Sequence, residues 1–260
     1  MKPLLPLVLL CAGALLARAD ESCSANNFHS DGMTGYAESR EQRLPSVSEN
    51  YINPGANGSI RVHGWMGADI RVKACIQAAA QSDAEAQTLA SQVSIAEGPG
   101  MIRASGPSSR DHSWWSVSYE VWVPNAANVK MDANNGSIGM DGVRGQVRFH
   151  TLNGSVRLYE VGGDVEGATT NGSVTVELAG TGWNGSGMHV QTTNGSVRLN
   201  LPESFSARVE VSTVNGKVHT DFPVTVSGEI QRNMSFMLGS GGATIEARTV
   251  NGSVHIGRRS

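Results

Sequence analysis

From about residue 131 to the end of the chain, apolar and polar positions alternate in short runs, and the runs recur in phase with one another. One apolar column is Ile138, Val156, Val174, Val197, Val218, Phe236 and Val254. A second, two residues further on, is Met140, Leu158, Val176, Leu199, Thr220, Leu238 and Ile256, apolar in all but Thr220. Side chains two apart on a strand point to the same face, so both columns belong to one buried face. Three residues before the first column stand Asn135, Asn153, Asn171, Asn194, Asn215 and Asn251, followed by Gly136, Gly154, Gly172, Gly195, Gly216 and Gly252. Successive asparagines are 18, 18, 23, 21 and 36 residues apart. The last gap is twice 18 and predicts a degenerate copy at Asn233, with Met234 in the glycine position. A repeat of about 20 residues marks a stacked, solenoid-like architecture.

The corner between the runs has a mechanical reading. Asparagine and glycine both tolerate φ > 0, which predicts a sharp turn at each pair. An isolated Asn-Gly would signal a hairpin. Recurrence at a fixed period favours stacked corners over an antiparallel meander, with each Asn amide bonding the copies above and below. Thr151, Thr169, Thr192, Thr213 and Thr249 lie two residues before an asparagine. They are β-branched residues suited to strands, and they could exchange hydroxyl bonds with one another.

Upstream the pattern is less regular. Residues 45–130 read as a β region, and residues 20–44, polar and without periodicity, as a flexible or loosely packed lead-in. Asn57-Gly58-Ser59-Ile60-Arg61-Val62 already resembles a repeat unit, and Ile70, Val72 and Ala74 alternate on one face of a strand. Ser82 and Glu85 form a capping box for a helix near 82–93, with Ala86, Leu89, Ala90 and Val93 as its apolar stripe. Two strands close the region, near Val93–Ala104 and Trp115–Val123, the second ended by Pro124. The repeats then occupy 131–260. The expected fold class is all-β: a repetitive β-solenoid or β-helix-like stack, preceded by a β region carrying one short helix.

The first 19 residues read as a signal peptide, with Lys2, an apolar Leu4–Leu16 and the cleavage site Ala17-Arg18-Ala19. No stretch is long enough for a transmembrane segment. Export is the expected outcome, to the periplasm, the cell envelope or the medium. Loss of Lys2 and Arg18 takes the formal charge from −3 to −5. Net negative charge and export argue against a nucleic-acid partner. Two cysteines remain, Cys23 and Cys75, and an even count in an exported chain points to a disulfide. The alternative is a buried thiol at Cys75 and a loose one at Cys23.

The Asn-Gly-Ser-Ile/Val repeats, Gly64-Trp65, the capped helix and Tyr119-Glu120-Val121-Trp122-Val123-Pro124 follow one another in an order that resembles the bacterial envelope proteins called putative adhesins. The resemblance covers about 45–260. It implies an exported β-solenoid-like protein with an inferred adhesive role, and it brings no catalytic residues.

The chain has no nucleophile elbow, no H-E-x-x-H, no paired C-x-x-C and no P-loop, so neither a catalytic nor a metal site is expected, and no cofactor. Asp141, Glu160, Asp164, Glu166 and Glu177 near the repeats read as solvated turn carboxylates, although a β-helical polysaccharide-processing enzyme would use such groups. The Asn-Gly-Ser triplets match the glycosylation sequon, but their strict period attributes them to structure. Trp114, Trp122 and Trp183 read as packing residues before sugar platforms. One column is chemically distinctive. Four residues after each asparagine stand Gly139, Arg157, Thr175, Arg198, His219, Met237 and His255, with Arg61 equivalent in the early copy. This column alternates with the buried ones and should face solvent. Arg157, Arg198, His219 and His255 would form a cationic stripe for an anionic polysaccharide or envelope component. The plain alternative is that they only keep an exposed strand soluble. The expected role is a non-enzymatic adhesin-like or structural surface; an envelope-sensing protein that contacts a membrane partner is a further alternative.

Overall fold

The computed structural model describes residues 23–25, 32–223 and 232–259. Residues 1–19, expected from the sequence to be a signal peptide, lie outside the described residues. In chain order the elements begin with strands β1 (Thr34–Pro45), β2 (Asn50–Asn53), β3 (Ile60–Trp65) and β4 (Asp69–Ala80). Helix α1 (Asp83–Gln92) precedes β5 (Ser94–Gly98), β6 (Met101–Ser105) and β7 (Trp114–Pro124). The repeats supply β8 (Val129–Asn135), β9 (Ile138–Asp141), β10 (Gln146–Asn153), β11 (Val156–Tyr159), β12 (Asp164–Asn171) and β13 (Val174–Glu177). Then come β14 (Gly187–Asn194), β15 (Val197–Pro202), β16 (Ala207–Asn215), β17 (Val218–Thr220), β18 (Asn233–Leu238), β19 (Thr244–Asn251) and β20 (Val254–Arg259).

The chain is all-β apart from the one helix, and its strands form two ten-stranded sheets. Each repeat is one coil. A strand of the second sheet ends at the asparagine, the chain turns through Gly-Ser, and a strand of the first sheet follows. Coils stack in parallel, as in β8–β10–β12–β14 of one sheet and β9–β11–β13–β15 of the other. Both predicted apolar columns point between the sheets, where Ile138, Val156, Leu158, Val174, Val176, Val197, Leu199, Val254 and Ile256 are buried. From the opposite sheet Val129, Met131, Val147, Phe149, Val165, Val190 and Ile245 meet them. One hydrophobic core runs unbroken from Ile52 to Ile256.

The Asn-Gly-Ser corner is explained by stacking, position by position. Asn153 Nδ2 donates to Asn135 Oδ1, and Asn171 to Asn153, Asn194 to Asn171, Asn251 to Asn194 and Asn215 to Asn251, each at 2.8 Å. Asn135 extends the ladder to Asn57 at 3.0 Å, which makes the early Asn57-Gly58-Ser59 copy its first rung. The serine hydroxyl accepts the N–H of the next copy, for example Ser173 N to Ser155 Oγ at 3.3 Å. The corner glycines do not serve φ > 0. Gly136, Gly154, Gly172, Gly195, Gly216 and Gly252 are all outside the positive-φ region, and only Gly58 lies within it. Glycine is required there because backbones touch. A Cβ on Gly154 would lie 2.0 Å from the Gly136 carbonyl oxygen, and the other corners repeat this.

The threonine row also differs from expectation. The hydroxyls do not bond one another; each donates to the corner glycine carbonyl of the neighbouring coil, as Thr169 Oγ1 does to Gly154 O at 2.7 Å. All five threonines are buried. Thr169→Val keeps the shape and strands that carbonyl, so it should lower stability by about 1–3 kcal/mol in urea denaturation. A loss below a few tenths of that would mean water reaches the corner.

Two features at the far end correct the sequence reading. Coils do not stack in chain order: β20 pairs with β15 on one side and β17 on the other, and β19 lies between β14 and β16. The last coil of the chain is therefore inserted beneath the one before it. The Asn233 copy is not a rung. Strand β18 runs antiparallel to β16 at the sheet edge, and Met234, Phe236 and Leu238 are buried from the sheet opposite to the expected one. A methionine at a position where even a Cβ clashes could not turn the corner. Arg258 and Arg259 are paired with Leu201 and Pro202 of β15, so the charged end of β20 lies within the sheet and not at its edge.

At the near end β7, β4 and β1 extend the first sheet antiparallel to one another. Strand β1 occupies much of the segment read as a loose lead-in. Its polar composition suits a sheet-edge strand, and its main chain is held along twelve residue pairs with β4. The helix begins at the expected cap, where Ser82 Oγ accepts from Glu85 N at 3.4 Å, and buries Ala86, Leu89 and Ala90. Its last turn has no basic residue; Arg40 of β1 serves instead, donating to Val93 O at 2.7 Å and Ala90 O at 3.2 Å. The expected strand near Val93–Ala104 is a hairpin, β5–β6, turned at Gly100, whose φ is +75°. Cys23 and Cys75 are joined by a disulfide that fixes the N-terminal segment to the outer face of β4.

Candidate functional site

The outward column of the first sheet is ordered by strand pairing, not by sequence. It runs Arg61, Gly139, Arg157, Thr175, Arg198, His255, His219. Arg61, Arg157 and Arg198 are exposed, and among the described residues none of them makes an ion pair. They stand on every second strand, which places their backbones about 9.6 Å apart. Parallel pairing with the strands on both sides sets that spacing.

An open groove of about 1000 Å³ crosses the column between Arg61 and Arg157. Its floor includes Gly139, where a Cβ would sit 3.8 Å from the Arg61 side chain. Along one wall lies a cluster that sequence reasoning missed. His63 Nδ1 is 2.7 Å from Asp141 Oδ1, its Nε2 is 3.3 Å from Glu120 Oε1, and its ring stacks on Trp122 at 5.4 Å. His63, Trp122 and Asp141 face each other only because β3 lies between β7 and β9. Asp141 and Glu120 flank the His63 imidazole from its two nitrogens, so one ring engages both carboxylates. The groove lining presents guanidinium groups, carboxylates and an imidazole, all able to make charge-assisted hydrogen bonds.

The structure divides the four residues proposed from sequence. Arg157 and Arg198 stay free on the arginine part of the column. His219 and His255 instead converge on Asp221, each with Nε2 3.3 Å from Asp221 Oδ1, their rings 5.1 Å apart. The Asp221 carboxyl is held below its ordinary range, first by the hydrogen bond from His255.

Other named residues are accounted for locally. Glu160 pairs with Arg259 at 3.4 Å, and Glu166 with Arg148 at 3.6 Å. Arg259 also donates to Tyr159 Oη at 2.7 Å. Trp183 donates to Gly163 O at 3.0 Å and packs on the core, which is a structural role. On the far sheet His189 and Glu246 meet at 2.6 Å, with Arg248 beside the same carboxylate. Among the described residues no helix is long and apolar enough to cross a membrane.

A family model described as Toastrack DUF4097 matches residues 49–257, and the chain belongs to that family. No curated protein matches it in sequence. Among solved structures, a putative cell adhesion protein from Clostridium sporogenes is 12% identical, with 86% of this chain and 100% of that one covered, at a TM-score of 0.50. A putative lipid binding protein from Parabacteroides distasonis is 11% identical over 86% of this chain and 97% of that one, with a TM-score of 0.33. A putative adhesin from Bacteroides fragilis is 8% identical over the same shares, with a TM-score of 0.36. At such identities the likeness concerns the fold alone.

Proposed function

We propose that this toastrack-family protein is a non-enzymatic recognition scaffold that binds an anionic polymer, such as an acidic polysaccharide, along the Arg61–Arg157–Arg198 column. One observation carries the reading: three exposed guanidinium groups without ion pairs recur on every second strand of a rigid stack, in a chain whose net charge is negative. Evenly spaced weak contacts on a stiff surface add up through avidity and need no deep pocket. The groove beside Gly139 supplies hydroxyl recognition between two of the arginines. An exported, envelope-associated setting is supported by the leader-like residues 1–19 and by a disulfide, which persists in oxidising compartments.

The test is capture of the purified exported chain on immobilised acidic and neutral polysaccharides at low and high salt. An Arg61→Ala/Arg157→Ala/Arg198→Ala variant runs beside it. Each exposed pair is worth about 0.5–1 kcal/mol, so the variant should bind roughly ten- to a hundredfold more weakly while unfolding like the parent protein. Binding of the parent should fall as salt rises. Equal capture of both proteins, or capture indifferent to salt, would refute the reading.

A further inference from the structure

We propose that His219, Asp221 and His255 form a binding site for a divalent transition metal, Zn²⁺ being the best fit, at the far end of the arginine column. His219 of β17 and His255 of β20 are direct partners in a parallel pair, so their side chains leave the sheet on the same face. Asp221 follows β17 at once and turns back towards both. The three ligand atoms lie within 4.8 Å of one another. Both imidazole Nε2 atoms are 3.3 Å from the same Asp221 Oδ1. Metal–ligand bonds of about 2.1 Å at tetrahedral angles place ligand atoms about 3.4 Å apart, so each of these two edges already has the length a zinc polyhedron needs.

The carboxylate is positioned from its main chain. Asp221 N donates to Ile256 O at 2.9 Å, and Asp221 O accepts from Arg258 Nε at 2.9 Å. Arg258 is itself anchored on Glu203 at 2.9 Å. Two imidazoles and one carboxylate suit zinc, copper or nickel; calcium and magnesium prefer oxygen alone. Three protein ligands leave a coordination position for water or an anionic group. Sequence spacing gave no hint of this set, since Asp221 and His255 are 34 residues apart and meet only through insertion of the last coil. A bound ion would therefore tie that last coil to the coil stacked outside it.

Isothermal titration of the tag-free exported chain with Zn²⁺ tests the site, with thermal unfolding as a second readout. The expected result is one ion per chain and a higher unfolding temperature in zinc. His219→Ala and His255→Ala should each weaken binding by at least the ten- to hundredfold that loss of a mere outer-shell partner costs. His189→Ala, on the other sheet, should leave it unchanged. His219 is largely exposed, so its removal leaves the fold intact, and the zinc-free unfolding temperature checks this. No stoichiometric binding, or equal binding by the His219→Ala and His255→Ala variants, would overturn the proposal.

Discussion

Gly172→Ala should lower stability by about 4 kcal/mol or more, an effect at the extreme for a single added methyl group. The new Cβ would lie 2.1 Å from the Gly154 carbonyl oxygen and 2.5 Å from its carbon. Neither neighbour can move aside, because each is main chain held inside a parallel stack. Relief requires the two coils to separate by more than 1 Å at the corner, on van der Waals grounds. That separation breaks the contacts meeting there: Asn171 Nδ2 to Asn153 Oδ1 at 2.8 Å, Gly154 N to Asn171 O at 3.0 Å, and Thr169 Oγ1 to Gly154 O at 2.7 Å. Each bond is worth about 1 kcal/mol net, and stranding buried partners adds to the loss. Gly98→Ala is the control, since nothing lies within 4 Å of a Cβ there and the residue is outside the positive-φ region. Urea denaturation of both variants separates close approach from a general intolerance of substitution. A Gly172→Ala protein within 1 kcal/mol of the parent would mean that the corners are not in contact.

Loss of the Cys23–Cys75 disulfide should cost about 4 kcal/mol, from the loop entropy released when residues 52 apart are no longer tied. For a domain of this size that corresponds to a fall in unfolding temperature on the order of 10 °C. The closed loop contains β1, β2, β3 and the first half of β4, so the cross-link constrains strands at the near end of the first sheet. Thermal unfolding of Cys23→Ser/Cys75→Ser, compared with the parent in the absence and presence of reductant, measures the cost. The reductant should bring the parent down to the variant and leave the variant unmoved. A variant as stable as the oxidised parent would show that pairing of β1 with β4 alone secures that end.

Much of this fold was legible because strand periodicity and stacking act on the same residues. The columns headed by Ile138 and Met140 named the core, and Ser82 and Glu85 located the helix. Coil order was not legible, because one Asn-Gly-Ser coil is nearly interchangeable with another and a period says nothing about which copies touch. The signal lay in the exceptions. Lys217 replaces the serine in the Asn215 copy; its own N–H donates to Ser253 Oγ at 3.4 Å, and among the described residues no further coil stacks beyond it. The copy that dispenses with the hydroxyl is the outermost one. Met234 likewise marks a strand that leaves the stack. The glycine requirement was recognised but attributed to turn conformation, since a lone Asn-Gly pair does not show how closely a neighbour approaches. The groove was hidden for a different reason: His63, Glu120 and Asp141 come from three strands whose adjacency depends on β7 pairing with β3 from outside the repeats.

The functional account depends on which face carries the charge, not on how much charge there is. Affinity for one linear acidic polysaccharide should therefore be measured, at low salt, for the parent and two matched variants. Arg61→Ala/Arg157→Ala/Arg198→Ala removes three arginines from the first sheet. Arg148→Ala/Arg208→Ala/Arg248→Ala removes three exposed ones from the second. Both changes alter net charge equally. The account predicts roughly ten- to a hundredfold weaker binding for the first variant and little change for the second. Equal losses in the two would contradict it, reducing the arginine column to an ordinary part of a charged surface.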